Sequence, residues 1–549
     1  MPKRRRLRLA GVFCALVAAV AWVQIRAGAF TADLSGPDES AHFVTGLLIR
    51  DYVAAGITRS PLAFAKDYYL HYPKVAFGVW PPLFHVIEAG WTLVFPATVP
   101  SVLALVGLGA VLLGFIVYRI GETTTSAAMA LVAALIFVAL PTTQLVTTRV
   151  LADVQVALFE WCAVVAWARY LERDRSRDAV WFGVWGSAAM LTKGNAMALL
   201  AVPVLTALIG ADRRIRSRTF WAGIAIMVAV AGPWQLYSWT IVRSTVVLVP
   251  KPFEYVSLYL GMIADEVGWP IAVVALVELV LTVRAGLIGE RPEPAALTFC
   301  ALTVAVVGFH AFVPLTPSSR YVLGVMPAVL ILACRGAIRA AAAAARHVPG
   351  VRAGLTTAAL AAAAVVTVGA AALDVPAKDT YGYGEVTGWL FAGSAPQRHV
   401  ILSSSSGNGD GMFISQVATR ERRPDSVVVR ADKVLSRSTW DGAEYELLKK
   451  TPAEVADFLD SVPIDVVVVD QEAEREVPPH QRLLLQALAA RPADWRLVHV
   501  HQRESRASWI RVYASTREPR SAERRTITID MTHSLGGSLS SVVSVSQPR

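Results

Sequence analysis

Long apolar segments recur from the start of the chain almost to residue 373, and they constrain its fold more than any motif does. After a run from about Leu9 to Ile25, candidate spans cover about 98–118, 125–142, 150–170, 179–192, 195–210, 219–241, 267–285, 294–313, 320–337 and 353–373. A helix needs roughly 20 apolar residues to cross a bilayer, where each backbone polar group must be satisfied internally. With 54% hydrophobic and 17% charged residues over 549 positions and a mean hydropathy of +0.48, the chain is far too apolar for a soluble protein. It reads as a polytopic α-helical membrane protein.

The charges agree with membrane topology. A net charge of +10 does not point to nucleic acid, because the basic residues cluster in loops between apolar segments. Met1-Pro-Lys-Arg-Arg-Arg precedes the first run, and no small-x-small cleavage site precedes Asp33. This start reads as an uncleaved signal anchor with its N-terminus in the cytoplasm. The loops then placed inside hold Arg119; Arg173, Arg175 and Arg177; Arg213, Arg214, Arg216 and Arg218; Arg284 and Arg291; and Arg339, Arg346 and Arg352. About eleven crossings leave the carboxyl-terminal region outside. Trp80-Pro81-Pro82 opens an apolar stretch to Phe95 that is short for a span and reads as interfacial or re-entrant; had it crossed, every later side would invert. Cys14, Cys162, Cys300 and Cys334 all fall inside apolar segments, as small hydrophobes with no disulfide or metal spacing.

The first outer loop carries Gly36-Pro37-Asp38-Glu39-Ser40-Ala41-His42. A paired acid beside a membrane span is costly unless watered or partnered, so it marks a functional site; the bland alternative is that Asp38 caps the following helix. That helix would present Asp38 and His42 on one face. Lys66, Lys74, Arg149, Lys193, Arg243, Lys251 and Arg320 are basic residues on the outer side, where the positive-inside rule disfavours them. Several lie at span mouths, well placed for a phosphate at headgroup level; alternatively they snorkel, or pair locally as Arg149 with Asp153.

Beyond about Val375 the chain turns polar. His399–Ser403, Ser426–Arg430, Asp465–Asp470 and Ile510–Ala514 read as strands. Thr451-Pro452-Ala453-Glu454 is a capping box opening a helix to about Leu459, and a second helix covers about Gln481 to Leu488. The alternation implies a small α/β domain. Ser403 to Gly411 is a Ser/Gly-rich loop after a strand that could cradle an anion or sugar, but its glycines fit no phosphate-loop pattern and it reads as an ordinary flexible loop. The tail from about Thr516 lacks periodicity and reads as disordered. The domain division is then 1–374, 375–515 and 516–549.

The Asp-Glu pair, the Pro-Pro-Leu helix start, Arg149-x3-Asp153, Leu191-Thr192-Lys193-Gly194 and Arg320-Tyr321 together resemble the GT-C membrane glycosyltransferases. Within these the likeness is to the branch with protein O-mannosyltransferases, aminoarabinose transferases of lipid A and RgtA/B/C/D-like transferases, and it covers about residues 1 to 373. The resemblance implies a GT-C-like fold of about eleven transmembrane helices plus interfacial helices in the first external loop, with a small C-terminal extracytoplasmic α/β domain. It implies a polyprenyl-phosphate sugar donor, Asp38 as catalytic base with Glu39 its neighbour, Asp153 as a second acid, and Lys193 and Arg320 near the donor phosphate. Lys74 and Arg149 are further donor-phosphate candidates. Relatives often set a basic residue directly against the prolines, whereas Lys74 stands several residues earlier. His42 and His85 are candidates for contact with substrate.

Chemistry leads the same way. Nucleotide sugars are absent outside the cytoplasm, so an outer transferase needs a donor delivered on lipid. Its phosphate leaves as an anion that cations stabilise, and one carboxylate suffices to deprotonate the acceptor. A single displacement inverts the anomeric centre, and Glu39 would raise the pKa of Asp38 by repulsion. No cofactor is required. A divalent metal held by Asp38 with His42, His71 or His85 lacks compact ligand spacing. The acceptor is a glycan, lipid or protein, and the location is the plasma (inner) membrane among its lipids. The alternative is a non-catalytic transporter or flippase of lipid-linked or envelope glycans, which would be expected to show inverted repeats.

Overall fold

The computed structural model describes residues 3–36, 38–75, 78–210, 212–242, 252–313, 316–347, 354, 362, 369, 373, 375–392, 399–421, 425–437, 445–472, 476–503, 508–517, 524–531 and 537–544. Helix α1 (Lys3–Arg26) is followed by three short helices, α2 (Glu39–Ala54), α3 (Pro61–His71) and α4 (Leu83–Val94), ahead of α5 (Val99–Thr124). Helices α6 (Ala127–Ala139) and α7 (Pro141–Thr147) meet at a 61° bend. Helix α8 (Asp153–Arg173) turns back into α9 (Ser176–Thr192) through Asp174 in the left-handed region, φ 51°. A 3-10 segment Gly194–Leu200 leads into α10 (Ala201–Ile209), followed by α11 (Arg218–Val242), α12 (Pro252–Val267), α13 (Trp269–Leu287) and α14 (Pro294–Phe312). A second such segment, Ser319–Val325, runs into α15 (Met326–His347).

Among the described residues seven of these helices are long and apolar enough to cross a membrane, or eight if the bent pair is one span. This is fewer than the eleven crossings expected, for local reasons. The 125–142 segment breaks at Leu140-Pro141, where proline removes a donor and clashes with the preceding turn. The 195–210 segment starts as a 3-10 helix and α9 has 17 residues, whereas the 353–373 segment lies outside the described residues. The 12-residue α4 extends roughly 18 Å at 1.5 Å per residue, short of the ~30 Å hydrocarbon core.

Two large aromatics of the helical core have their polar atoms satisfied. Trp161 and Trp167 on α8 are fully buried. Their indole N–H groups donate to Gly324 O at 2.8 Å and Thr206 Oγ1 at 3.0 Å, locking α8 to the 3-10 segment that carries Arg320 and to α10. Such bonds matter where no water can replace them.

The carboxyl-terminal region opens with α16 (Tyr383–Leu390) and then alternates strands and helices: β1 (Val400–Ser404), α17 (Gly407–Arg420), β2 (Val427–Arg430), α18 (Ala431–Val434), β3 (Ser436–Arg437), β4 (Glu446–Leu447), α19 (Pro452–Ser461), β5 (Val466–Glu472), α20 (Pro479–Ala490), β6 (Trp495–Gln502) and β7 (Ser508–Ser515). Among the described residues the main sheet has the order β2-β1-β5-β7-β6, with β2, β1 and β5 parallel and β7 antiparallel to both neighbours. The four expected strands and both helices are present. Thr451 accepts from Glu454 N at 3.2 Å, as the capping box requires.

Two sequence readings change. Ser403 to Gly411 is no flexible loop: Ser403 and Ser404 end β1, and Ser406 caps α17 by accepting from Gly409 N at 3.2 Å. Its glycines serve close approach, since a Cβ at Gly411 would lie 2.8 Å from Lys74 Cε. The tail contains an antiparallel pair, β8 (Arg524–Met531) with β9 (Gly537–Ser544), where the β-branched run Thr526-Ile527-Thr528-Ile529 suits a strand.

Candidate active site

Four of the expected residues converge at the ends of four helical elements. Asp38 is the N-cap residue of α2, yet its side chain makes no capping bond. Instead its carboxylate accepts from an Arg320 guanidinium N–H at 3.2 Å. Arg320 also faces Asp153 at 3.8 Å, and Asp153 accepts from Lys193 Nζ at 2.6 Å. Lys193 lies 5.0 Å over the ring of Tyr321, a cation–π geometry. Asp153 is 3% exposed, whereas Asp38, Lys193 and Arg320 remain 20–23% exposed. Two acids thus hold two cations in a site with one enclosed and three accessible charged groups.

Local structure explains the convergence. Asp153 opens α8, Lys193 caps α9, and Arg320 stands in the 3-10 segment before α15. Glu266 at the end of α12 accepts from Thr142 N at 2.9 Å and from the Thr142 hydroxyl, whose oxygen in turn accepts from Ser319 Oγ at 2.8 Å. This chain fastens the turn before Arg320 to the start of α7.

The other expected residues lie around this cluster rather than in it. The Glu39 carboxylate is fully buried and accepts from Lys378 Nζ at 2.9 Å, Val150 N at 3.1 Å and Gly36 N at 2.9 Å. Its charge is matched by Lys378. Arg149 does not pair with Asp153; its buried Nε has no partner among the described residues, and its guanidinium lies beside Gly36. Lys74 donates to Gly407 O at 3.0 Å, at the start of α17. Arg243 and Lys251 lie outside the described residues.

His42 and His85 meet each other. His42 Nδ1 lies 2.9 Å from His85 Nε2, and the His42 ring stacks on Trp80 at 4.1 Å. Burial, then the neighbouring His85, Lys193 and Arg320, hold His42 well below the usual imidazole range. One ring of the neutral pair donates and the other accepts. Among the described residues no three His, Cys, Asp or Glu side chains converge as metal ligands.

Sequence reasoning missed Lys378 and the Glu266–Thr142–Ser319 chain. Lys378 stands in an irregular polar stretch with no periodicity to mark it. Glu266 follows Asp265 near the end of an apolar run, and a paired acid beside such a run is a pattern that flags function.

Residues 80–237 match the family described as dolichyl-phosphate-mannose-protein mannosyltransferase. No curated protein matches the chain. Among solved structures, ArnT from Cupriavidus metallidurans bound to undecaprenyl phosphate aligns with a TM-score of 0.56 at 15% identity, over 92% of this chain and 97% of that one. The archaeal oligosaccharyltransferase AglB from Archaeoglobus fulgidus, in complex with an inhibitory peptide and a dolichol-phosphate, aligns with a TM-score of 0.54 at 12% identity, over 85% of this chain and 70% of that one. With its apolar helices, its small carboxyl-terminal sheet and these likenesses, the chain is a multi-pass membrane protein with the fold of the GT-C glycosyltransferases.

Proposed function

We propose that the chain is an inverting glycosyltransferase that moves a sugar from a polyprenyl-phosphate donor to an acceptor on the extracytoplasmic side of the plasma membrane, with Asp38 as general base. One observation carries this reading: an accessible carboxylate, Asp38, touches an accessible cation, Arg320, while Asp153 gathers Arg320 and Lys193 into the same site. The family match and the lipid-phosphate-bound neighbours support a lipid phosphate as sugar carrier.

Asp38 takes the proton of the acceptor hydroxyl or amine as that atom attacks the anomeric carbon. The bond from that carbon to the phosphate oxygen breaks on the opposite face, and the electron pair leaves with the phosphate. Arg320, Lys193 and Arg149 stabilise the charge that develops there. An arriving phosphate draws on the Arg320 guanidinium, whose planar fork suits it, and frees the Asp38 carboxylate for the acceptor. Asp153 keeps both cations together when no phosphate is present. No metal is required for these steps.

The test is Asp38→Asn, assayed by mass spectrometry of envelope glycans and glycolipids from cells carrying wild type, variant or neither. Loss of a general base costs roughly 10²- to 10⁴-fold, so the dependent modification disappears while protein level and thermal midpoint hold. Undiminished modification overturns the assignment of Asp38.

A further inference from the structure

Glu39 stands next to Asp38 but turns away from the accessible cluster. Its carboxylate is 0% exposed and bridges three points: Gly36 N, two residues before Asp38; Val150 N, one residue after Arg149; and Lys378 Nζ. It therefore ties the turn that presents Asp38 to the Arg149–Val150 segment, and Lys378 supplies the countercharge. Lys378 is itself anchored, with its side chain 3% exposed and its backbone N–H donating to Ala27 O at 2.8 Å, just past α1. A buried pair of this kind leaves an uncompensated charge when one partner is removed.

Lys378 belongs to the stretch leading into the α/β region, and that region grips the same loop again on both sides of Asp38. Asp33 accepts from Tyr381 N at 2.8 Å and from Gln416 Nε2 at 2.9 Å. Gly411 of α17 packs so tightly against Ser40 that an added Cβ would lie 3.1 Å from the Ser40 Cβ. Helix α17 also receives the Lys74 ammonium through Gly407 O. The loop carrying the base is thus held from residue 33 to residue 74 by the carboxyl-terminal region.

We propose that Lys378 is a positioning residue for the reaction, acting through Glu39 to set the direction in which Asp38 points, and that the carboxyl-terminal α/β region is in this way a working part of the catalytic site. The inference rests on the reading of Asp38 as general base. Lys378 touches no reacting atom. It fixes the backbone on either side of one that does, and a misplacement of about 1 Å at a reacting group costs roughly a hundredfold in rate.

The test uses full-length protein in membrane vesicles from cells lacking their own copy, with the endogenous lipid-linked sugars as donor and the dependent envelope glycan read by mass spectrometry. Four proteins are compared: wild type, Lys378→Met, the charge-neutral pair Glu39→Gln with Lys378→Met, and Asp38→Asn. Binding of undecaprenyl phosphate to each purified protein, followed by thermal shift, is the second readout. Lys378→Met is expected to turn over roughly ten- to a hundredfold more slowly, with undecaprenyl phosphate affinity unchanged within about twofold, because the cations of the site are untouched. The double variant, which buries no lone charge, is expected to fold and to be no slower than the single one, since the two residues act as a unit. Turnover of the double variant within about twofold of wild type overturns the proposal. So does its failure to fold or to bind undecaprenyl phosphate, which would make the pair a folding element only. Activity in Asp38→Asn removes the functional reading itself, whereas an inactive Asp38→Asn beside an active double variant removes only the role of Lys378.

Discussion

At the scale of single residues, the membrane sorts charged groups into those that must be paired and those that are left accessible. Asp153 and Glu39 are enclosed and each has a lysine at hydrogen-bond distance, whereas Asp38 and Arg320 are accessible and share one contact at 3.2 Å. Lys74 is a third case. Burial and then Arg430 push its ammonium down to about 8, against the upward pull of Asp410, Asp432 and Asp38. The unfolded chain keeps this proton up to about 10.5. Between about 8 and 10.5 the unfolded state therefore binds more protons than the folded one, and this group makes stability rise with pH. Thermal unfolding in detergent is expected to show wild type gaining on Lys74→Met as pH rises through that window. A constant difference between the two proteins would count against a buried Lys74 ammonium. The Asp-Glu pair was legible in the sequence because two acids beside an apolar run have few bland explanations. What separates their tasks was not, because Glu39 differs from Asp38 only in what folds around it.

At the scale of elements, helix starts and core strands were readable and helix breaks and edges were not. Thr451, Pro452 and Glu454 announce α19, and the structure satisfies the cap. Thr451→Ala is expected to cost about 1 kcal/mol, seen as a lower thermal midpoint of the full-length protein with its modification activity retained. An unchanged midpoint would show that this cap carries none of the stability being measured. The Ser403 to Gly411 stretch misled for a physical reason: glycine and serine suit a loop, but they also suit a helix start pressed against another segment, and only the neighbours of Gly411 decide between them. Strand β6 escaped notice because it is an edge strand, with Leu497 and Val500 exposed at 47% and 49%; half-solvated sequences carry a weak alternation. The bend between α6 and α7 was written in Pro141, yet a window of mean hydropathy averages over it.

At the scale of the whole molecule, the proposed chemistry demands that the base and the cations share one face of the membrane. Residues 38 and 320 are in contact, and the arginine-rich loops argue for the non-cytoplasmic side. Asp38→Cys and Arg320→Cys, each made in a background free of other cysteines, are expected to react with a membrane-impermeant thiol reagent added to intact spheroplasts, and Arg173→Cys only after the membrane is opened. Labelling of Arg173→Cys in intact spheroplasts would invert the orientation.

Hydropathy, loop charge and the order of a few short motifs were enough to determine a polytopic helical protein with a GT-C-like plan, since the bilayer penalises each unpaired polar group wherever it stands and so writes its rule locally along the chain. Which charged group meets which was decided by the fold alone. Asp38, Asp153, Lys193 and Arg320 are separated by up to 282 residues, and Lys378 reaches Glu39 across 339. Charges so far apart in sequence acquire partners only when helix packing, and the closure of the α/β region over the first long loop, remove the water between them.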